Sequence, residues 1–163
     1  MRGISEIGRA VRVARGSLHA GDSYSITVLT SLRHPNGFIV SNPRRASNTA
    51  VDFLLYLVYL VAEGHLVAGD VLVLDSAAIH FADEIQAPVR YLMTSIGARL
   101  LFMPTYSPEL NPCEYIFAQL KSWVRENRSH QPLLVDIGMA CHSVSWRNVF
   151  SYYDKCIHRF HEY

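Results

Sequence analysis

The sequence predicts an α/β fold, a mixed sheet with helices on both faces. Two β-branched segments flank HPNG (34–37), a turn signal that predicts an antiparallel hairpin. Two apolar runs follow, VLVLD (71–75) and RLLFM (99–103), and a helical segment lies before and after each of them. A hairpin followed by alternating helices and strands indicates antiparallel pairing first and parallel pairing later in one sheet.

The strands are predicted from side-chain type. SYSITVLTSL (23–32) is β-branched and aromatic, and GFIV (37–40) pairs with it across the turn. The continuous apolar runs at 71–75 and 99–103 are typical of strands that are buried on both faces. Residues 1–21 are basic with weak periodicity, so no strand is predicted there.

The helices are predicted from their boundary residues. Asn48 is a suitable N-cap for a helix that runs to about Glu63, and Gly64 ends it. Ten apolar residues within this helix are too few to span a bilayer, so we expect a buried helix and no membrane partner. Three further helical segments are expected over about 82–96, 113–127 and 131–160.

A chain of 163 residues suits one domain with one hydrophobic core. Charged residues are distributed unevenly along it. Residues 1–45 hold seven Arg and two acids, whereas residues 46–120 hold two Arg and eight acids. Basic flanks around an acidic centre suit a metal site whose approaches bind phosphates, although scattered surface charge explains the counts equally well. The candidate nucleic-acid contacts are Arg9, Arg12, Arg15, Lys121 and Arg125.

The three cysteines are far apart and form no CxxC pair, which indicates reduced thiols and an intracellular protein. The first 16 residues have no apolar segment of the kind found in signal peptides. We expect a nuclear location if the source is a eukaryote.

Two acids are candidate metal ligands. Asp75 ends an apolar strand, where α/β sheets collect their ligands, although it can equally cap the next element. Glu114 falls at position N3 after Asn111 and Pro112, the arrangement of a capping box. Two carboxylates at one sheet edge repel each other unless a cation lies between them, and Mg²⁺ suits an oxygen-only site. His80 is either a structural histidine or a group that assists a water or a phosphate.

Two segments, VLVLDSAAIH (71–80) and LLFMPTYSPELNPCEYIFAQLKSWVREN (100–127), closely resemble the DDE transposases of the Tc/mariner superfamily. In that superfamily a strand ending in Asp-Asn-Ala is followed by Leu-Pro-Pro-Tyr-Ser-Pro-Asp-Leu-Asn-Pro-Ile-Glu. Here 38 residues separate Asp75 from Glu114, and RGSLHAGDSYSITVLTSL (15–32) shows a weaker likeness. The residues in register are Pro104, Tyr106, Ser107, Pro108, Leu110, Asn111, Pro112 and Glu114.

The resemblance implies a ribonuclease-H-like fold and a metal-dependent enzyme that cuts DNA and transfers strands. Three carboxylates would hold two Mg²⁺ or Mn²⁺ ions, with Asp75 as the second acid and Glu114 as the third. His80 would assist catalysis, and Ser107, Pro108, Asn111 and Pro112 would support the motif. DNA is the implied partner, and a homodimer is a further expectation.

The sequence also departs from the family pattern. Ser76, Thr105 and Cys113 replace the usual Asn, Pro and Ile. No acid matches the first catalytic Asp, because Asp22 lies in a turn and Glu6 has no apolar strand around it. The sequence thus predicts a catalytic domain over residues 1–128 that lacks its first acidic strand, and a helical extension over 129–163.

Three functions remain open at this point, besides the more distant one of a metal-dependent nuclease that acts on RNA. The first is a transposase-derived endonuclease domain that is inactive as this chain, because two carboxylates place two metals poorly. The second is a non-catalytic module that binds DNA or a protein. The third is a decayed element whose exposed sheet edge, left by the missing strand, causes aggregation or dimerisation.

Overall fold

A computed structural model describes residues 3–6, 24–40, 43–129 and 131–160. These residues form one five-stranded sheet in the order β3-β2-β1-β4-β5. The strands are β1 Gly3–Glu6, β2 Val28–Ser31, β3 Phe38–Val40, β4 Val71–Leu74 and β5 Arg99–Phe102. The helices are α1 Ala50–Ala62, α2 Asp83–Ser95, α3 Pro112–Glu126, α4 Leu133–Ser143 and α5 Trp146–Phe160. Short 3₁₀ turns cover Ala78–His80 and Pro108–Leu110.

The sheet is mixed, as predicted. β1 pairs antiparallel with β2 and parallel with β4, and β4 pairs parallel with β5. The hairpin of β2 and β3 is confirmed, with Leu29 opposite Ile39. No helix in the described part of the chain is long and apolar enough to cross a membrane.

The expectation that the first strand is missing is wrong. Gly3–Glu6 forms β1 at the centre of the sheet, so the edge that we expected to be exposed is covered. The segment has little hydrophobic pattern, and its strand conformation depends on backbone pairing with a neighbour on each side. Glu6 therefore does lie on a strand, opposite Leu29.

The predicted burial of the last two strands needs correction. In β4, Leu72 and Leu74 are fully buried, but Val71 and Val73 are only half-buried. β5 is an edge strand, with Leu101 and Phe102 largely exposed. A continuous apolar run therefore marks a strand here without showing that both of its faces are covered.

Helix α1 begins one residue later than predicted. Thr49 is the N-cap and forms a capping box with Asp52, in which each side chain bonds the other residue's backbone N–H. Asn48 instead donates from its side-chain amide to the Thr27 hydroxyl, 2.9 Å away. The predicted end of the helix is confirmed, because Gly64 adopts a positive φ of 70° just after it.

Two hydrophobic cores lie on opposite faces of the sheet. The first core joins α1 and α2 to the sheet through residues such as Phe53, Leu57, Leu72, Leu74 and Ile85. The second core joins α3, α4 and α5 to the hairpin through residues such as Val28, Cys113, Phe117, Ile137 and Val149. The predicted helicity of the C-terminal segment is confirmed, and that segment shares the core of α3.

Candidate functional site

Asp75 directly follows β4, at the carboxyl end of the parallel strands. The Met103 N–H donates to the Leu74 carbonyl at 2.8 Å, which holds the ends of β4 and β5 together. The Asp75 carboxylate accepts a hydrogen bond of 3.0 Å from the Ala77 N–H and is partly exposed. The capping alternative for Asp75 is therefore observed, and it leaves the other carboxylate oxygen able to bind a ligand.

Glu114 lies in the first turn of α3, but it does not complete the predicted capping box. The Asn111 side chain caps the Cys113 N–H at 3.0 Å, and the Asn111 N–H donates to the Pro108 carbonyl. Because that N–H already has an acceptor, the Glu114 carboxylate is not needed there. Within the described residues, the Glu114 side chain has no hydrogen bond or ion pair, which leaves it available to a cation.

Both acids line one cavity of about 480 Å³. Its remaining wall comes from the loop that joins β5 to α3 and from the residues after Asp75. Of the residues predicted to support the motif, Ser107, Pro108 and Asn111 line this cavity, and Pro112 is buried as the first residue of α3. Ser76 also ties the two loops together, because its hydroxyl donates to the Met103 carbonyl at 3.3 Å.

His80 lies behind Asp75 and not on the cavity wall. Its ring is buried and packs on Phe53, with 4.5 Å between ring centroids. Nδ1 lies 3.1 Å from the Asp75 carbonyl and 3.0 Å from its carboxylate. Both of these are acceptors, so Nδ1 must carry the proton and donate. Among the described residues, Nε2 has no hydrogen-bond partner. Assistance to a water or a phosphate stays a prediction, and the observed contact is with Asp75.

The described residues contain no cluster of three or more metal-binding side chains. The backbone register relates β1 to the strand that ends just before Asp75. Ser5 of β1 is paired with Val73 on one side, two residues before Asp75, and with Thr30 on the other. Thr30 faces α3, where its hydroxyl lies 3.9 Å from the sulfur of Cys113, the neighbour of Glu114.

Strand alternation separates Ser5 from Glu6. Ser5 shares the register of Thr30 and lies on the sheet face that α3 covers, whereas Glu6 is opposite Leu29, a residue of the other core. Ser5 is therefore the β1 position on the same face as the first turn of α3. Sequence reasoning missed this position because it predicted no strand there.

Two of the basic residues that were predicted to contact nucleic acid lie on the same side of α3 as Glu114. Lys121 and Arg125 come seven and eleven residues after Glu114, close to two and three helical turns of about 3.6 residues. Arg125 is exposed, and its guanidinium also bonds the Ser122 hydroxyl at 3.1 Å. The predictions for Arg9, Arg12 and Arg15 lie outside the described residues.

The donor set fits a divalent cation. The cavity wall carries two carboxylates together with hydroxyl and amide oxygens, and no thiol or imidazole is among its lining side chains. Carboxylate oxygens are the ligands that Mg²⁺ and Mn²⁺ accept. The residues that would hold the ion are Asp75 and Glu114.

Comparison with solved structures shows the same fold. The catalytic domain of Mos1 mariner transposase has a TM-score of 0.64 and 15% identity, covering 97% of this chain and 81% of that one. The Mos1 paired-end complex with Mn has a TM-score of 0.66 and 13% identity, covering 98% and 54%. The catalytic core of BIV integrase has a TM-score of 0.53 and 11% identity, covering 87% and 82%. The fold is therefore ribonuclease-H-like.

Sequence comparison shows the family. No curated protein has a significant match to this chain. The family profile described as DDE superfamily endonuclease matches residues 1–133. The chain belongs to the DDE superfamily endonucleases.

Proposed function

We propose that this chain is a transposase-derived DDE endonuclease domain that binds DNA and holds a divalent cation with Asp75 and Glu114. It does not measurably cleave DNA, because β1 carries Ser5 and no third carboxylate beside these two acids. The observation that carries the proposal is the shared cavity, which both acids line at the carboxyl end of β4. Because its ligand would be DNA, the protein would act in the nucleus if the source is a eukaryote.

The two acids have complementary surroundings. Asp75 is fixed by the Ala77 N–H and by His80, so its carboxylate cannot turn freely. Glu114 is held only through its backbone at the capped start of α3, and its side chain can adjust to a ligand. When bound, Mg²⁺ or Mn²⁺ supplies Lewis-acid chemistry to the attacking and leaving oxygens of a phosphodiester.

The basic residues of α3 support DNA as the ligand. Lys121 and Arg125 lie about 10 and 16 Å from Glu114 along the helix axis, at about 1.5 Å per residue. They would neutralise phosphates on a strand that runs from the cavity along α3. Such contacts supply affinity that falls with added salt and does not depend on base sequence.

Nicking of supercoiled DNA with Mn²⁺ tests the proposal. The native sequence is expected to give no measurable nicking, because positioning of the reacting groups needs the third carboxylate. Ser5→Asp is expected to produce nicking, and Ser5→Asn, which has nearly the same size without the charge, is not. Adding Asp75→Ala to Ser5→Asp should abolish the activity.

Two results would count against this assignment. Robust nicking by the native sequence that disappears in Asp75→Ala would contradict the proposed inactivity. Nicking by Ser5→Asp that persists after Asp75→Ala would show that the cavity is not the site of cleavage.

A purely non-catalytic binding module is the second candidate, and the polar but uncharged Ser5 favours it. This function predicts salt-sensitive DNA binding that survives the double variant Asp75→Asn, Glu114→Gln. Binding that instead requires both acids and a divalent cation would favour a metal-bridged DNA complex.

A further inference from the structure

Tyr106 combines two unusual properties at the rim of the acidic cavity. Its side chain is 100% exposed, and its backbone has a positive φ of 60°. Among the described residues, it is the only one other than glycine with a positive φ. It lines the cavity that contains Asp75 and Glu114, within the loop between β5 and α3.

The backbone conformation is unfavourable for tyrosine. The left-handed region is costly for residues with a Cβ atom, and glycine would adopt it with less strain. Such strain is common at ligand sites, where the surrounding structure maintains it. Here Pro104 and Pro108 restrict the backbone on either side, and the Ser107 hydroxyl lies 3.4 Å from the Thr105 carbonyl.

Packing within the fold does not explain the choice of an aromatic residue. A wholly exposed ring contributes no buried area to either core, and none of the described side chains forms a ring contact or hydrogen bond with it. An exposed aromatic ring beside a nucleic-acid-binding surface has a known use, because every nucleic-acid base can stack on it regardless of sequence.

We propose that Tyr106 is a base-stacking residue that holds an unpaired DNA base next to Asp75 and Glu114. This inference rests on the proposed function, because it assumes that DNA reaches the cavity. The ring receives the base while the basic side of α3 receives the phosphates beyond it. Tyr106 thus positions the strand and does not take part in bond breaking.

Binding of a single-stranded oligonucleotide that contains 2-aminopurine tests the assignment. Tyr106→Ala is expected to weaken binding by about 10-fold or more, as loss of a stacking aromatic does, and to reduce 2-aminopurine quenching. Tyr106→Phe should keep both signals. Tyr91→Ala is the matched control, because Tyr91 is 78% exposed on α2 and does not line the cavity.

A second variant separates stacking from a structural role. Tyr106→Gly relieves the positive φ, so we expect its melting temperature to stay at or above that of the native sequence while DNA affinity falls as in Tyr106→Ala. A clear loss of stability in this variant would indicate a structural residue and overturn the proposal.

The outcomes also separate this inference from the proposed function. Unchanged affinity and quenching in Tyr106→Ala, in a protein that still binds DNA, would overturn stacking alone. An absence of DNA binding by the native sequence would overturn both.

Discussion

The two faces of β4 differ in how completely they are covered. Leu72 and Leu74 point into the core beneath α1 and α2 and have no exposed surface. Val71 and Val73 point to the opposite face and are only half-buried. The same four-residue strand therefore has a buried face and a half-buried face.

The difference shows how the fold can hold an open acidic cavity without losing stability. The buried face is apolar and closely packed, and it fixes the end of β4. The half-buried face leaves room at the carboxyl end of the strand, where Asp75 and Glu114 line their cavity. His80 links the two regions, because its ring packs on Phe53 while Nδ1 contacts Asp75.

The largest expected loss of stability comes from truncating a side chain on the buried face of β4, and a truncation on the half-buried face is its comparison. Leu74→Ala should lower the free energy of unfolding by about 2–5 kcal/mol, because it leaves a cavity in a packed core. Val73→Ala removes less buried area and should cost about 1 kcal/mol. Denaturant unfolding of both variants measures the contrast, and equal losses would show that the two faces contribute alike.

A substitution in the hairpin turn tests whether the sheet face that α3 and α5 cover is tightly packed at a distance from the cavity. Gly37 has a φ of 76°, and a Cβ there would lie 2.8 Å from the Val149 Cβ of α5. Gly37→Ala should therefore cost about 2–4 kcal/mol, from strain plus overpacking.

Gly64→Ala is the matched control for that variant. Gly64 has a similar φ of 70°, but a Cβ there would meet nothing within 4 Å. We expect a cost of about 1 kcal/mol from the backbone alone. If thermal or denaturant unfolding shows the same loss for both glycine variants, the hairpin is not packed tightly against α5.

Asp136 is a buried acid in the first turn of α4, a helix on the same sheet face as α3 and α5. Burial alone would raise the pKa of Asp136, but hydrogen bonds from Ser129 and Arg128 outweigh it and hold the pKa below its usual range. A carboxyl whose pKa is lower in the folded state stabilises the fold above its unfolded pKa near 4. That contribution is lost as the pH falls through the folded pKa.

Asp136→Asn should therefore cost about 1–3 kcal/mol near neutral pH and much less in acid. Unfolding measured between about pH 7 and pH 2 should show a shallower pH dependence for this variant than for the native sequence. Parallel pH profiles for the two proteins would mean that the Asp136 contacts do not lower its pKa.

The acids of the cavity should give the smallest change in stability. Glu114→Gln keeps the size of a side chain that has no partner among the described residues, so we expect a change within about 0.5 kcal/mol. A loss of several kcal/mol in thermal unfolding would show that Glu114 supports the fold and not a ligand.

The sequence predicted most of the architecture from local signals. The HPNG turn, the apolar runs and Gly64 identified the hairpin, β4, β5 and the end of α1. It missed β1 because Gly3–Glu6 depends on pairing with distant strands and not on its own pattern. The exposure of Leu101 could not be predicted either, because strand order alone places β5 at the edge.

The candidate site was predictable in its composition but not in its contacts. The sequence motifs around Asp75 and Glu114 singled out both acids as candidate ligands, and both acids line the same cavity. The capping box at Asn111 did not form, because the 3₁₀ turn before α3 supplies the Pro108 carbonyl to its N–H. The pairing register of Ser5 and the positive φ of Tyr106 could not be predicted from the sequence, because both depend on the tertiary structure.

Mn²⁺ binding, followed by electron paramagnetic resonance, tests most directly whether Asp75 and Glu114 hold a cation together. We expect weak binding by the native sequence and a loss of affinity of about 10-fold or more in Glu114→Gln. Glu109→Gln is the control, because Glu109 lies in the same loop but does not line the cavity, and it should bind like the native sequence. Unchanged Mn²⁺ affinity in Glu114→Gln would show that Asp75 and Glu114 do not hold a cation together.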